Sequence, residues 1–207
     1  MKHSHDLTTG PLALHYRKLA VPAAIGMVFS TLYNVVDVFF AGLIGTDAQA
    51  GLAISFQAFF IFVTVGFGLS ASMTALVGNA IGRKDDDEAS QIALQGISFA
   101  GLSAIILLVA AFAFAPSLLT LISTDGAYRD AGLRYMVILI LSLPSFVIAY
   151  GLNGILQASG DTVSMQRALI GAFFVNLGLN PVLVFGIPPI FDGFGFNGIA
   201  AATVISQ

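Results

Sequence analysis

The chain has 207 residues, of which 57% are hydrophobic and 9% charged, with a formal net charge of −3. A soluble globular domain carries roughly 25% charged residues, so this composition excludes that class and marks an integral membrane protein. No basic stripe points to nucleic acid, and the absence of cysteine excludes disulfides, zinc–thiolate sites and thiol nucleophiles.

The opening MKHSHDLTTGPLALHYRK is polar and lacks an apolar core. It reads as a cytoplasmic tail over residues 1–18, not as a cleavable signal peptide. His3, His5 and His15 fall in this tail, and His-Ser-His there is more simply solvated than metal-binding. Beyond it the charges gather between long apolar stretches. A spanning helix needs about 20 residues, and helices are expected at 19–46, 51–82, 91–116, 135–158, 168–187 and 195–207. Residues 19–207 thus form one bundle. The fold class is an all-α membrane protein, a six-helix transmembrane bundle. The surplus of the second stretch is expected as an interfacial turn near 48–51. The sixth stretch meets no stop signal before Gln207 and reads as a truncated helix in a piece of a longer protein.

Orientation follows from Lys and Arg. With the N-terminus inside, the cytoplasmic segments hold Lys2, Arg17, Lys18, Arg83, Lys84 and Arg167, and the outer ones only Arg129 and Arg134. The expected location is multi-pass in the plasma (inner) membrane with the N-terminus cytoplasmic. Pro144 and Pro181 interrupt the fourth and fifth stretches. Each removes a backbone donor, which frees the carbonyls of Ile140 and Leu177 for another partner.

Asp37 is the one charge between Lys18 and Asp47. A carboxylate at that depth costs several kcal/mol by insertion scales, so it reads as functional. Tyr33 lies one turn earlier on the same face, and Asn34 borders it. Asn176 and Asn180 repeat the four-residue spacing beside Pro181. Asn153 stands on the fourth helix and Thr203 on the sixth. Together these supply hard oxygen ligands suited to a proton, Na⁺ or a bound water. Asn and Thr also serve as glue between membrane helices, and that reading stays open for Asn34, Asn153 and Thr203. Bundle packing accounts for Tyr33 equally well, and Gln57 is a weaker cavity candidate with Asn34. No Walker motif and no intramembrane Ser–His, paired-Asp or zinc pattern occurs, so an enzyme is not expected.

The ordered motifs resemble the N-terminal half of a multidrug and toxic compound extrusion (MATE) transporter. They are Pro22 with Asp37, Gly42 and Gly45; Ala75-Leu-Val-Gly-Asn-Ala-Ile-Gly82 before the charged turn; Gln157-Ala-Ser-Gly160-Asp161-Thr162; Asn176-Leu-Gly-Leu-Asn180-Pro181; and Gly198-Ile-Ala-Ala-Ala-Thr203. The resemblance implies the N-lobe of a twelve-helix pseudo-symmetric transporter whose C-terminal lobe is a missing partner. It implies a secondary antiporter in the lipid bilayer that exports cationic or amphipathic small molecules in exchange for H⁺ or Na⁺, with no cofactor. It also implies that Asp37 couples the cation, with Na⁺ as the one conceivable metal. Asn153, Asn176, Asn180, Thr203 and Tyr33 match its partners. Some members carry Asp where this chain has Asn180, which leaves Asp37 as the lone acid. A lipid-linked oligosaccharide flippase of the same superfamily is an alternative, although it would call for cavity cations that the apolar stretches lack. A non-transporting remnant, or a half-transporter needing a partner lobe, is another.

Overall fold

The computed structural model describes residues 12–207, and the first part of the expected tail lies outside them. Seven α-helices follow in order: α1 Leu12–Ile44, α2 Thr46–Gly82, α3 Asp86–Ile122, α4 Ala127–Leu139, α5 Leu143–Ala158, α6 Val163–Phe185 and α7 Phe196–Ser206. A 3-10 turn at Ile140–Ser142 joins α4 to α5, so these two form one continuous span. Among the described residues, five spans are long and apolar enough to cross a membrane, and α7 is a shorter apolar helix.

Several boundaries differ from the sequence expectation. Helix α1 starts at Leu12 rather than at residue 19, because 12–18 contains no Pro or Gly to stop it. No interfacial turn occupies 48–51. A single residue, Gly45, reverses the chain between α1 and α2, at a φ of 152° that an L side chain rarely adopts. Helix α3 runs through Pro116 to Ile122 instead of ending at 116, since neighbouring groups can satisfy a carbonyl freed by proline in a membrane helix. The fourth span begins at Ala127, not 135, and so takes in Arg129 and Arg134. Its 3-10 turn lies just before Pro144, where the proline ring would crowd the carbonyl of Ile140. Helix α6 ends at Phe185 and α7 starts at Phe196, each within two residues of expectation.

The packing is inside-out relative to a soluble protein. Large apolar residues such as Phe99, Ile105, Ile106, Val109 and Phe114 of α3 are exposed, while Ala100, Ala104, Ala111 and Ala115 of the same helix are buried. Hydrocarbon outside removes the usual hydrophobic drive between helices, so close van der Waals packing of small residues replaces it. Helix α2 is the centre of this packing, lying against α3, α4 and α5. At its crossing with α4, a Cβ on Gly51 would stand 2.8 Å from the Tyr128 carbonyl oxygen and 2.9 Å from the Gly132 nitrogen. The buried Ser55 hydroxyl donates there to the carbonyls of Gly51 and Gly132, at 2.7 and 2.9 Å. At the crossing with α5, a Cβ on Gly154 would strike the Ser70 carbonyl and come within 2.8 Å of the Met73 Cβ.

The turns at the α2–α3 and α5–α6 end are capped by acids. The Asp85 carboxylate accepts the Glu88 amide at 2.9 Å, and Arg83 pairs with Glu88. Asp161 accepts the amides of Val163 and Ser164 at 3.1 and 3.0 Å and the Ser164 hydroxyl at 2.6 Å. The Ser164 hydroxyl, followed by its amide, holds the Asp161 carboxyl below the usual carboxylate range.

Two predictions follow from the packing and the caps. Gly154→Val forces α2 and α5 apart and lowers stability by about 1–3 kcal/mol, read as a fall in melting temperature in detergent. Gly171→Ala on α6, with nothing near its Cβ position, leaves the melt unchanged or raises it. Equal melts for the two variants would refute the close-packing account. Asp161→Ala removes the start of α6 from its cap and lowers stability by about 1 kcal/mol. Because folding depresses this pKa, the cap's contribution is present above the ordinary carboxylate value and is lost as pH falls through the depressed one. The wild-type and variant melts therefore converge in acid.

Candidate functional site

On α1, Tyr33, Asp37 and Ala41 recur every four residues and are all buried. This stripe is the face that α1 turns toward α6 and α7. On α6 the buried residues are Asn176, Asn180 and Val184, again four apart. On α7, Ile199 and Thr203 repeat the spacing. Three stripes therefore converge, and Asp37 stands where they meet.

Asp37 is 0% exposed. Its Oδ1 accepts hydrogen bonds from Asn176 Nδ2 at 3.2 Å and from Asn180 Nδ2 at 3.1 Å. Its Oδ2 accepts from the Thr203 hydroxyl at 3.1 Å. That hydroxyl also lies 3.1 Å from the Ile199 carbonyl, so its one proton is shared between the carboxylate and its own helix. Asn180 Nδ2 reaches Asn176 Oδ1 at 2.9 Å and the Asn176 carbonyl at 3.1 Å, which fixes the two amides relative to each other. Every group bonded to the carboxylate is neutral.

The site also contains unsatisfied oxygen. Asn180 Oδ1 and the Tyr135 hydroxyl are both buried without a hydrogen-bond partner. Tyr135 is fully buried, with its hydroxyl toward Thr203 and Asp37. Its ring stacks on Phe196 at 5.0 Å between centroids, with an interplanar angle of 24°. Native proteins leave few buried polar atoms unpaired, and such atoms mark places that a water or ion can fill.

The sequence-expected residues divide into two groups. Asp37, Asn176, Asn180 and Thr203 form one hydrogen-bonded cluster. Tyr33 borders it but spends its hydroxyl on Ser206 of α7, at 2.5 Å. Asn153 does not reach Asp37. Helix α5 packs on α2 and α3, not on α1, and Asn153 lines a separate groove with Ser70, Thr74, Tyr150 and Gln157. Asn34 is exposed and donates to the Ser30 carbonyl of its own helix at 2.9 Å. Gln57 is exposed as well. Sequence reasoning missed Tyr135, whose position beside Arg134 at the start of an apolar stretch imitates an interfacial tyrosine. It also missed Phe196 and Ser206. The i, i+4, i+7 spacing of Phe196, Ala200 and Thr203 was the available signal.

A model of the MatE family matches residues 22–182. The chain is 28% identical to the FAD transporter of Shewanella oneidensis, over all of this chain and 45% of that one. A probable multidrug resistance protein NorM of Burkholderia mallei is 30% identical, over 91% of this chain and 40% of its own. The probable multidrug resistance protein YoeA of Bacillus subtilis is 27% identical, over 90% and 40%. Among solved structures, a MATE in the bent conformation superposes with a TM-score of 0.86 at 23% identity, over 95% of this chain and 43% of that one. An outward-facing multidrug resistance MATE family transporter gives 0.85 at 23% identity, over 93% and 42%. The chain spans about half the length of the curated relatives it matches. With a family model covering most of its residues and this fold around Asp37, the chain belongs to the MatE family and has the fold of a MATE N-lobe.

Proposed function

We propose that this chain is the N-lobe of a secondary multidrug antiporter, and that Asp37 binds the coupling ion. The observation that carries this reading is a buried carboxylate held only by neutral donors. An isolated charge in a low-dielectric interior is strongly disfavoured, and among the described residues no Lys or Arg compensates this one. A proton or Na⁺ supplies the missing positive charge. Asn180 Oδ1 and the Tyr135 hydroxyl are the free oxygens that can join the carboxylate around Na⁺ or a water.

The transport step follows from competition. With the ion bound, the cluster is neutral and holds no attraction for a cationic compound. With the ion lost, the same carboxylate attracts one. A ligand shifts a conformational equilibrium only by its differential affinity for the two states, so ion and compound favour different states. The Thr203 proton, shared between Asp37 and the Ile199 carbonyl, lets α7 respond to the charge on α1. Cationic or amphipathic substrates suit this lobe better than anionic ones, because its described basic residues lie in the connections or within about two turns of them. That placement also counts against a flippase for pyrophosphate-linked lipids. The names of the multidrug resistance relatives support the same reading. The second lobe, the plasma-membrane location and the cytoplasmic N-terminus belong to this proposal.

Asp37→Asn keeps the shape of the cluster and removes its charge. Expressed from the native coding sequence in an efflux-deficient bacterium, it lowers ethidium efflux about tenfold or more, equivalent to about 1.4 kcal/mol of lost coupling. Thr203→Ala gives a partial loss. Efflux unchanged by Asp37→Asn would refute the role of Asp37. No efflux from the wild type would favour the remnant instead. Efflux driven in vesicles by a pH gradient alone, or by a Na⁺ gradient alone, identifies the ion.

The absence of cysteine makes orientation directly measurable. Thr124→Cys, in the α3–α4 connection, reacts with a membrane-impermeant maleimide in intact cells. Asp86→Cys, at the α2–α3 turn, reacts only after the membrane is opened. The reverse pattern would place the N-terminus outside.

A further inference from the structure

Asp37 has no exposed surface, so an ion must reach it through the protein. A cavity of about 530 Å³ opens at the end of the bundle that carries the α1–α2, α3–α4 and α6–α7 connections. Its lining includes Ile44 of α1, Thr46 and Asp47 of α2, Ala127, Ala131 and Arg134 of α4, and Phe196 of α7. At about 30 Å³ per molecule, it has room for on the order of ten waters. Thr46, Asp47 and Arg134 offer partners to water there, so the lining suits a hydrated cavity. Its acid and base are not paired with each other.

Three helices lead from this cavity to the Asp37 cluster by one face each. On α1 the face runs Ile44, Ala41, Asp37. On α7 it runs Phe196, Ala200, Thr203. Both follow the i, i+4, i+7 rule and descend about 10 Å over seven residues. On α4 it runs Ala127, Ala131, Tyr135. The first residue of each series lines the cavity, and the last lies at Asp37. Between them, Ala41 and Ala200 are fully buried and carry only a methyl group. The stacked rings of Phe196 and Tyr135 stand in the same interval. Phe196 has one side on the cavity and the other on Tyr135.

We propose that this cavity is a hydrated antechamber through which the coupling ion reaches Asp37, and that the Phe196–Tyr135 stack is its gate. The proposal rests on the reading of Asp37 as the ion site and adds the route. Rotation of the Phe196 ring off Tyr135 joins the cavity water to the unpartnered Tyr135 hydroxyl. From there the next oxygens are those of Thr203 and Asp37. The occupant is a proton carried by water or a small hydrated monovalent cation. With the stack closed the interval admits nothing larger than water, so a larger reagent reaches Asp37 only when the ring swings off Tyr135. Asp37 would therefore exchange its ion from this end without opening the lobe.

The test is the rate at which Asp37 is amidated by a water-soluble carbodiimide with glycinamide. It is read by peptide mass spectrometry on the purified chain in detergent, and it needs no transport activity. Asp47, at the cavity mouth, is the internal reference. Phe196→Ala raises the Asp37 rate about tenfold, the effect of about 1.4 kcal/mol less to open the gate. Phe196→Leu gives a smaller rise and guards against a folding defect in the first variant. Ala127→Trp, on an exposed position of the cavity wall, lowers the Asp37 rate severalfold without changing the melt. Rates that are the same in folded Phe196 variants and in Ala127→Trp would overturn the proposal. So would slowing by Ala71→Trp, in the groove between α2 and α5, in place of Ala127→Trp. Loss of efflux in Asp37→Asn with unchanged labelling in the gate variants would leave Asp37 as the ion site and remove only the route.

Discussion

The lobe depends on one carboxylate that is buried without a counter-charge. Asp37 is stabilised by two amides and one hydroxyl, each on a different turn of another helix. Hydrogen bonds to a charged group are each worth roughly 1.5–3 kcal/mol. That is comparable with the several kcal/mol by which the membrane disfavours the charge, but it does not cancel the charge itself. The remainder makes the site responsive. A salt-bridged Asp would be satisfied and inert, whereas this one is completed only by something that arrives.

The rest of the architecture separates into two kinds of packing. Helices α2, α3, α4 and α5 meet through Gly, Ala and Ser, where backbones touch and no charge is involved. Helices α1, α6 and α7 also pack through Phe29 on Phe173 and Gly198 on the Leu183 backbone, but they alone are joined by the Asp37 cluster and the Tyr33–Ser206 hydrogen bond. A change of charge at Asp37 alters the second set of contacts directly and the first hardly at all. The α2-centred block is therefore the frame, and α1 with α6 and α7 is the part that can respond. Pro22 lies inside α1 and Pro181 inside α6, where each removes one helix hydrogen bond and allows the helix to bend.

How much of this was legible in the sequence depended on which interactions are local. Helix number and the Asp37, Asn176, Asn180 group could be read because membrane depth and the four-residue repeat are one-dimensional signals. The membership of Thr203 was also readable, through motif order along the chain. Asn153 was misplaced because its residue type fits the site, while its helix is held by α2 and α3 through Gly151 and Gly154. That is a tertiary constraint with no trace in local spacing. Tyr135 was hidden by its neighbour Arg134, because a tyrosine beside a basic residue looks interfacial until the helix is seen to start earlier. The turn expected at 48–51 failed for a simpler reason. Gly45 alone can reverse the chain, and nothing in 46–51 has to be irregular once it does.

The departure at Asn180 links these points. A second carboxylate there would lie about 3 Å from Asp37, the distance at which Asn180 Nδ2 now donates. Two acids so close cannot both ionise, and one would retain a proton across a wide pH range. With an amide instead, the site has a single carboxylate, and its occupancy changes by one positive charge. That single change is set against a cluster whose donors are otherwise complete. Only the Tyr135 hydroxyl and Asn180 Oδ1 are left free among its described neighbours. On the proposed reading, an arriving proton would use one of these oxygens and Na⁺ would use both, with water completing its shell. On the proposed route, the choice of ion depends on how far the Phe196–Tyr135 stack opens. A proton can be relayed past a partly opened ring, whereas a hydrated cation requires the whole interval.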